Sequence, residues 1–88
     1  MLTKATIIEY QAEQDIFEGV EYNTSRSNKL NEMALAGKTN DLPLVINDTT
    51  YKRLWTDQAA AEEWINFITA LAVTHNKTIV SAQIIDNP

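Results

Sequence analysis

The sequence predicts an α+β domain in which two helices pack on one face of a mainly antiparallel sheet. Three observations support this. A long amphipathic segment follows Asp57, segments rich in β-branched residues lie near both ends of the chain, and Asn47-Asp48 between apolar stretches is typical of a hairpin turn. The chain has 88 residues, which is too short for two cores. We therefore expect a single domain over residues 1–88.

The long helix is predicted from about Asp57 to His75, with Thr56 at the N-cap and Asn76 as a left-handed stop. At 100° per residue its apolar side chains occupy an arc of roughly 160°, which is wide enough to cover a sheet. These side chains are Ala60, Ala61, Trp64, Ile65, Phe67, Ile68, Leu71 and Ala72. We expect Trp64, Ile68 and Leu71 to pack directly on the sheet.

Four segments are predicted as strands from their β-branched and aromatic content. They are Thr3–Tyr10, Leu42–Val45, Thr50–Trp55 and Thr78–Ile85. The second and third flank a turn over residues 46–49 and form the hairpin. The last strand carries apolar side chains on both faces, which favours a central position in the sheet.

The stretch from Gln11 to Asp41 has the weakest pattern. Ser27 is predicted to cap a short helix that runs through Ala36 and stops at Gly37. Residues 15–22 fit either a strand or an irregular loop. The resulting order of strand, undecided segment, helix, hairpin, helix and strand is closest to a ferredoxin-like sandwich.

Composition excludes several classes of site. There is no cysteine, so disulfides, thiolate nucleophiles and zinc–thiolate centres are ruled out. Seven basic and twelve acidic residues give a net charge of −5, which disfavours binding to nucleic acid. The first residues do not resemble a signal peptide, and no apolar run is long enough to span a membrane. A cysteine-free domain of this size favours a reducing compartment.

Few residues are candidates for chemistry. His75, the sole histidine, could act as a base or ligand, or simply sit well at the negative end of the long helix. Tyr51, Arg53 and Trp55 alternate along one strand and form either a ligand platform or a packed ladder with Arg53 over an aromatic ring. No convergent set of reactive groups is visible, so we expect no catalytic residue, no cofactor site and no metal site.

The segment Tyr51–Phe67, with an aromatic-x-Arg-x-Trp strand end and a helix carrying Ala-x-x-Trp-Ile-x-Phe, resembles small uncharacterised proteins of tailed bacteriophages. Arg26–Asn31 before a short helix resembles the same group. The resemblance covers about two-fifths of the chain and implies a viral origin with an accessory or virion role, in the host cytoplasm or the virion. The step from strand through Trp55 to helix is also loosely similar to small dimeric ferredoxin-like monooxygenases.

We therefore expect a non-enzymatic interaction or assembly module that associates with itself or with a protein partner. The candidate interaction surface is Tyr51, Arg53, Trp55 and Phe67. Two alternatives stay open: a protein that sequesters a small molecule, and a cofactor-free dimeric enzyme. A deep pocket lined by Arg53 and Trp55 would favour the first, a buried His75 beside an apolar cavity the second, and a flat apolar patch would favour assembly.

Overall fold

The described part of the chain contains a four-stranded sheet and two α-helices. The computed structural model describes residues 1–40 and 44–88. The elements are β1 (Lys4–Tyr10), α1 (Val20–Leu35), β2 (Leu44–Asn47), β3 (Thr50–Trp55), α2 (Gln58–Thr74) and β4 (Ile79–Asp86). The strand order in the sheet is β2-β3-β1-β4, and all neighbouring strands are antiparallel. The predicted α+β class is confirmed, and the order of elements is that of the split β-α-β arrangement of ferredoxin-like domains.

The long helix α2 forms where the sequence predicts it, but its cap is one residue further on. The Asp57 carboxylate accepts a hydrogen bond of 2.8 Å from the backbone N–H of Ala60, so Asp57 and not Thr56 is the N-cap. At the other end, Asn76 has a φ of 58°, which confirms the predicted left-handed stop. Trp64 and Ile68 are buried as expected, and Leu71 is partly buried against the same core.

The first helix is longer than predicted. It begins at Val20, directly after Gly19, whose φ of +100° favours glycine, and it does not begin at Ser27. Residues 15–22, for which the sequence left a strand or a loop open, therefore form no strand. A 3-10 turn at Glu13–Asp15 precedes them, and α1 begins within them. Gly37, with a φ of +75°, follows the helix as the predicted stop.

The buried side of α1 explains why the sequence concealed its first half. Its buried residues are Tyr22, Arg26, Leu30 and Met33, spaced by four, four and three positions. This is the spacing of a single helical face. Because the second member is an arginine, the apolar period is interrupted and becomes apparent only from Leu30 onward.

The last strand lies at an edge of the sheet, so the predicted central position is wrong. β4 pairs with β1 and is exposed along most of its length. Its apolar content divides between the two faces: Ile79 and Ile84 pack against the core, and Ile85 points to the opposite side. Periodicity shows that a strand has two apolar faces, but not how many neighbours it has.

The predicted strand Thr50–Trp55 coincides with β3, and the other described strand boundaries differ from the prediction by at most two residues. β1 begins at Lys4, and β2 extends to Asn47, whose side-chain oxygen accepts a hydrogen bond of 3.0 Å from the Thr49 N–H in the predicted turn. Residues 42 and 43 of the predicted second strand lie outside the described residues.

The two faces of the sheet differ in what covers them. On one face, Ile8, Tyr10 and Trp55 join the helices in the hydrophobic core. On the opposite face, the register places Leu54, Ala5 and Ile85 in one row across β3, β1 and β4. We call this second side the open face, because no helix of residues 1–40 and 44–88 packs on it.

Polar contacts outside the sheet connect the two helical regions. The Glu63 carboxylate of α2 forms ion pairs of 2.8 Å with Lys29 of α1 and with Lys38, just beyond the end of α1. Both lysines hold the pKa of Glu63 below its usual value, mainly through hydrogen bonds. Because the side chain of Glu63 is about one-third exposed, these two ion pairs contribute to the stability of the fold as surface ion pairs do.

Candidate functional site

The candidate interaction residues of β3 lie on the face that carries the helices. Tyr51, Arg53 and Trp55 share one side of the strand, as their alternation predicts, opposite Ile8, Thr6 and Lys4 of β1. Trp55 is 0 % exposed and Arg53 is 6 % exposed. These two residues therefore lie in the interior and not on an exposed surface, which corrects that part of the prediction.

Trp55 begins a row of aromatic rings that runs outward through α2. Its centroid lies 5.8 Å from that of Trp64, which in turn stacks on Phe67 at 5.9 Å. The indole N–H of Trp55 donates a buried hydrogen bond of 3.0 Å to the hydroxyl of Thr6. Phe67 is half-buried, with the Lys29 ammonium 5.6 Å from its ring centroid. The aromatic motif of Tyr51–Phe67 is thus a packing motif, with only its outer ring near solvent.

Two arginines from different elements meet at one cavity between the helices and the sheet. Arg26 comes from α1 and Arg53 from β3, and the cavity they line has a volume of about 20 Å³. Its remaining walls come from Thr6, Ile8, Tyr10, Tyr51, Lys52 and Trp64. We call this space the arginine cavity. Sequence reasoning identified Arg53 as a candidate but missed Arg26 and Tyr10.

Arg26 is held in an unusual environment for a charged group. It is 8 % exposed, and its guanidinium carbon lies 4.7 Å from the ring centroid of Phe17. Burial lowers its pKa, an effect that Tyr10, Tyr22 and Tyr51 partly oppose. Among residues 1–40 and 44–88 no carboxylate forms an ion pair with Arg26, and its Nε has no hydrogen-bond partner there.

The tyrosines around Arg26 are neutral groups. Burial raises the pKa of both Tyr10 and Tyr22 above the ordinary tyrosine value. The two hydroxyls also perturb each other, yet the Tyr22 hydroxyl has no hydrogen-bond partner of good geometry among the described residues. The site therefore offers hydrogen-bond donors and positive charge, with no negative charge from these tyrosines.

His75 lies at the C-terminal end of α2, where its backbone N–H bonds to the carbonyl of Leu71 at 3.1 Å. Its ring is half-buried and meets the Tyr22 ring edge to face at 5.6 Å. The Lys77 ammonium lies 5.0 Å from the same tyrosine ring and donates to the carbonyl of Glu18. Throughout the described part of the chain, no cluster of three histidine or acidic side chains could hold a metal ion.

Comparisons with known proteins give no relative for this chain. No family model, curated protein or solved structure matches it. The resemblance to bacteriophage proteins therefore stays a prediction. In the residues that the structure describes, no helix is both long enough and apolar enough to cross a membrane.

Proposed function

We propose that the chain is a non-catalytic interaction module that self-associates through the open face of its sheet. The observation that carries this proposal is the apolar patch at one end of that face. Ala5 lies at its base, fully buried between Leu54 and Ile85, and Ile7 follows along β1. Such a patch without a covering helix is typical of an interaction surface.

The charges on the open face support a second copy of the chain as the partner. The register places Lys52 and Glu9 on this side, so its charges balance although the chain as a whole carries −5. Two copies facing each other therefore meet without net repulsion at the contact. A two-fold axis also allows each Lys52 to approach the other copy's Glu9, as expected for a closed dimer.

The size of the face predicts a weak dimer. Strands about 4.8 Å apart, rising about 3.3 Å per residue, give a four-stranded face of this length a flat area of about 400 Å². Two such faces bury about 800 Å², which is less than the ~1,200 Å² of the smaller stable complexes. We therefore expect association that depends strongly on protein concentration.

The setting we propose is a bacteriophage protein that acts in the host cytoplasm or in the virion. This part is supported by the resemblance of Tyr51–Phe67 alone. The alternative of a metabolite-binding protein has weaker support. The cavity lined by Arg53 holds about 20 Å³ and is not lined by Trp55. Drug-sized ligands occupy pockets of about 300 Å³ or more.

The test is sedimentation equilibrium from low micromolar to millimolar protein. We expect the average mass of the wild type to rise toward that of a dimer, and Ile85→Lys to remain monomeric because it places a charge in the patch. Ile85 is already 36 % exposed on an edge strand, so the fold should survive. Val73→Lys, on the exposed side of α2 at 76 % exposure, is the matched control and should behave as the wild type.

A monomeric mass of the wild type at every concentration would contradict the proposal. Equal loss of association in the Ile85→Lys and Val73→Lys variants would also contradict it, because the contact would then not be specific to the open face. Far-ultraviolet circular dichroism of both variants establishes that the comparison is made between folded proteins.

A further inference from the structure

We propose that the free edge of β4 pairs with β4 of a second copy of the chain, in antiparallel register about a two-fold axis at Ile84. This contact is separate from the open face, because it uses backbone groups at the side of the sheet and not side chains on its surface. It continues the four-stranded sheet of one chain into the sheet of its neighbour.

Half of the backbone groups of β4 point away from the sheet. The Asn87 N–H donates a hydrogen bond of 2.9 Å to the carbonyl of Thr3, which lies opposite it in the register of β1 with β4. Bonded and non-bonded residues alternate along an antiparallel pair. The register is regular over residues 81–86, so residues 81, 83 and 85 bond to β1. The residues whose backbone groups point outward are then Ala82, Ile84 and Asp86.

The outer side of β4 lacks the usual protection of a sheet edge. Exposed edges are commonly shielded by a lysine, a proline, a short strand or a covering segment. β4 has 8 residues, and its stretch from Ile79 to Ile85 contains no charge and no proline. Ala82 is exposed although it lies on the side of the helices, and no strand of residues 1–40 and 44–88 pairs with the outer side of β4. This edge is therefore accessible to another strand.

A second β4 is complementary to this edge. With the axis at Ile84, that residue opposes its own copy, and Ala82 opposes Asp86 of the second copy. Each opposed pair exchanges two backbone hydrogen bonds, so about six form in total. The axis also brings the two Ile84 side chains together on the helix side, where each packs against its own core. Moving the axis by one or two residues leaves at least one outward-facing residue unopposed within residues 81–86.

The charges at this edge allow two copies to meet. Asp86 is the charged residue of the regular stretch, and it forms an ion pair with Lys4 of its own chain. With the axis at Ile84, the two Asp86 residues lie about 13 Å apart along the strands, at about 3.3 Å per residue. This separation exceeds the Debye length of about 8 Å at physiological ionic strength, so their mutual repulsion is largely screened.

The edge contact is small. A pair of strands alone is marginally stable in water, and it buries less surface than the ~1,200 Å² of the smaller stable complexes. We therefore expect it to be sparsely populated in dilute solution, where it adds little to the average mass. Its role is to join chains that are already concentrated. Together with the open face it gives each chain two different neighbours, so that rows of chains can form; this last step rests on the proposed function.

Disulfide trapping detects such a contact, because the chain has no cysteine and each variant carries a single thiol. Opposed residues of a bonded antiparallel pair have Cα atoms about 5.5 Å apart, within the roughly 4.4–6.8 Å that a disulfide spans. Ile84→Cys should therefore form a disulfide dimer with itself under mild oxidation. Ala82→Cys is the matched control: it lies on the same side of β4 and is more exposed, but its two copies are about 13 Å apart along the strands.

We expect Ile84→Cys to dimerise at least about tenfold faster than Ala82→Cys, because only thiols held within reach gain an effective concentration above that of the bulk. Adding Ala82→Pro to Ile84→Cys removes an outward N–H without removing a bond to β1, and it should abolish trapping. Adding Ala82→Val retains that N–H and should retain trapping.

A second pair of variants keeps the proposal testable if Ile84→Cys fails to fold. Ala82 and Asp86 are both exposed, and they oppose each other across the axis. A mixture of Ala82→Cys and Asp86→Cys should therefore yield the mixed disulfide in clear excess over either self-dimer, as measured by mass spectrometry of the intact proteins.

Equal trapping of Ile84→Cys and Ala82→Cys would overturn the proposal. So would undiminished trapping in the presence of Ala82→Pro, or a mixed disulfide no more abundant than the self-dimers. The open face cannot produce the Ile84 disulfide, because Ile84 lies on the other side of the sheet. Trapping without a concentration-dependent mass would therefore refute the open-face contact alone, and the reverse result would refute the edge contact alone.

Discussion

Replacing Trp64 by alanine tests the packing of α2 on the sheet most directly. Trp64 is 4 % exposed, and its ring contacts both Trp55 and Phe67. A tryptophan buries about 200 Å², which at about 25 cal/mol per Å² corresponds to roughly 5 kcal/mol as an upper value. Measured substitutions of buried aromatic residues by alanine cost about 3–5 kcal/mol, so we expect a loss in that range.

This loss is large relative to the whole domain. At about 0.05–0.15 kcal/mol per residue, a chain of this length has a total stability of roughly 4–13 kcal/mol. Trp64→Ala should therefore shift the urea midpoint strongly or leave the protein largely unfolded. Trp64→Phe retains most of the ring volume and should lose considerably less, and Asn66→Ala on the exposed side of α2 should change stability by less than about 0.5 kcal/mol.

Equilibrium urea unfolding, followed by tryptophan fluorescence and by circular dichroism, measures these differences. A loss below about 1 kcal/mol for Trp64→Ala would refute the reasoning, since a buried aromatic residue cannot be removed so cheaply. A loss just as large for Asn66→Ala would show that α2 is sensitive to any substitution, and that burial of Trp64 is not the cause.

Two further predictions concern the ends and the surface of α2. Asp57→Ala should cost about 1 kcal/mol in urea unfolding, because it removes the N-cap hydrogen bond. Thr56→Ala should cost clearly less, and the reverse order would place the cap at Thr56. The pKa of Glu63 is depressed by its two lysine partners, so its contribution is complete above its unfolded value of 4.5 and is lost as the pH falls through the lower folded value. The difference in urea midpoint between wild type and Glu63→Gln should therefore shrink below pH 4.5, and a difference independent of pH would contradict this.

The elements with strong local signals were predictable from the sequence. For α2, the apolar period of 3.6 residues and the left-handed asparagine at its end each depend on residues that are close together in the sequence. The same is true of the hairpin turn, where the Asn47 side chain bonds to the backbone two residues later. Local interactions of this kind are encoded by neighbouring residues and can be recognised without knowing the fold.

The first helix shows where local signals were insufficient. Its buried face includes Arg26, and an arginine in an apolar stripe conceals the helical period. Only the tertiary structure provides the reason for that arginine: it points toward the cavity that Arg53 also lines, from a strand 27 positions further along the chain. A contact between residues so far apart in the sequence leaves no local periodic pattern from which it could be predicted.

The arrangement of strands and faces was likewise decided by tertiary contacts. Alternation in β3 correctly grouped Tyr51, Arg53 and Trp55 on one side, but whether that side faces solvent or helices depends on where both helices pack. The apolar content of β4 suggested a central strand, yet β1 occupies the position between β4 and β3. Apart from the first half of α1, the sequence by itself thus determined which segments are helices and strands, and it determined which residues of β3 share a face. The tertiary structure decided which face is covered and which strands are neighbours, because both depend on contacts between residues far apart in the chain.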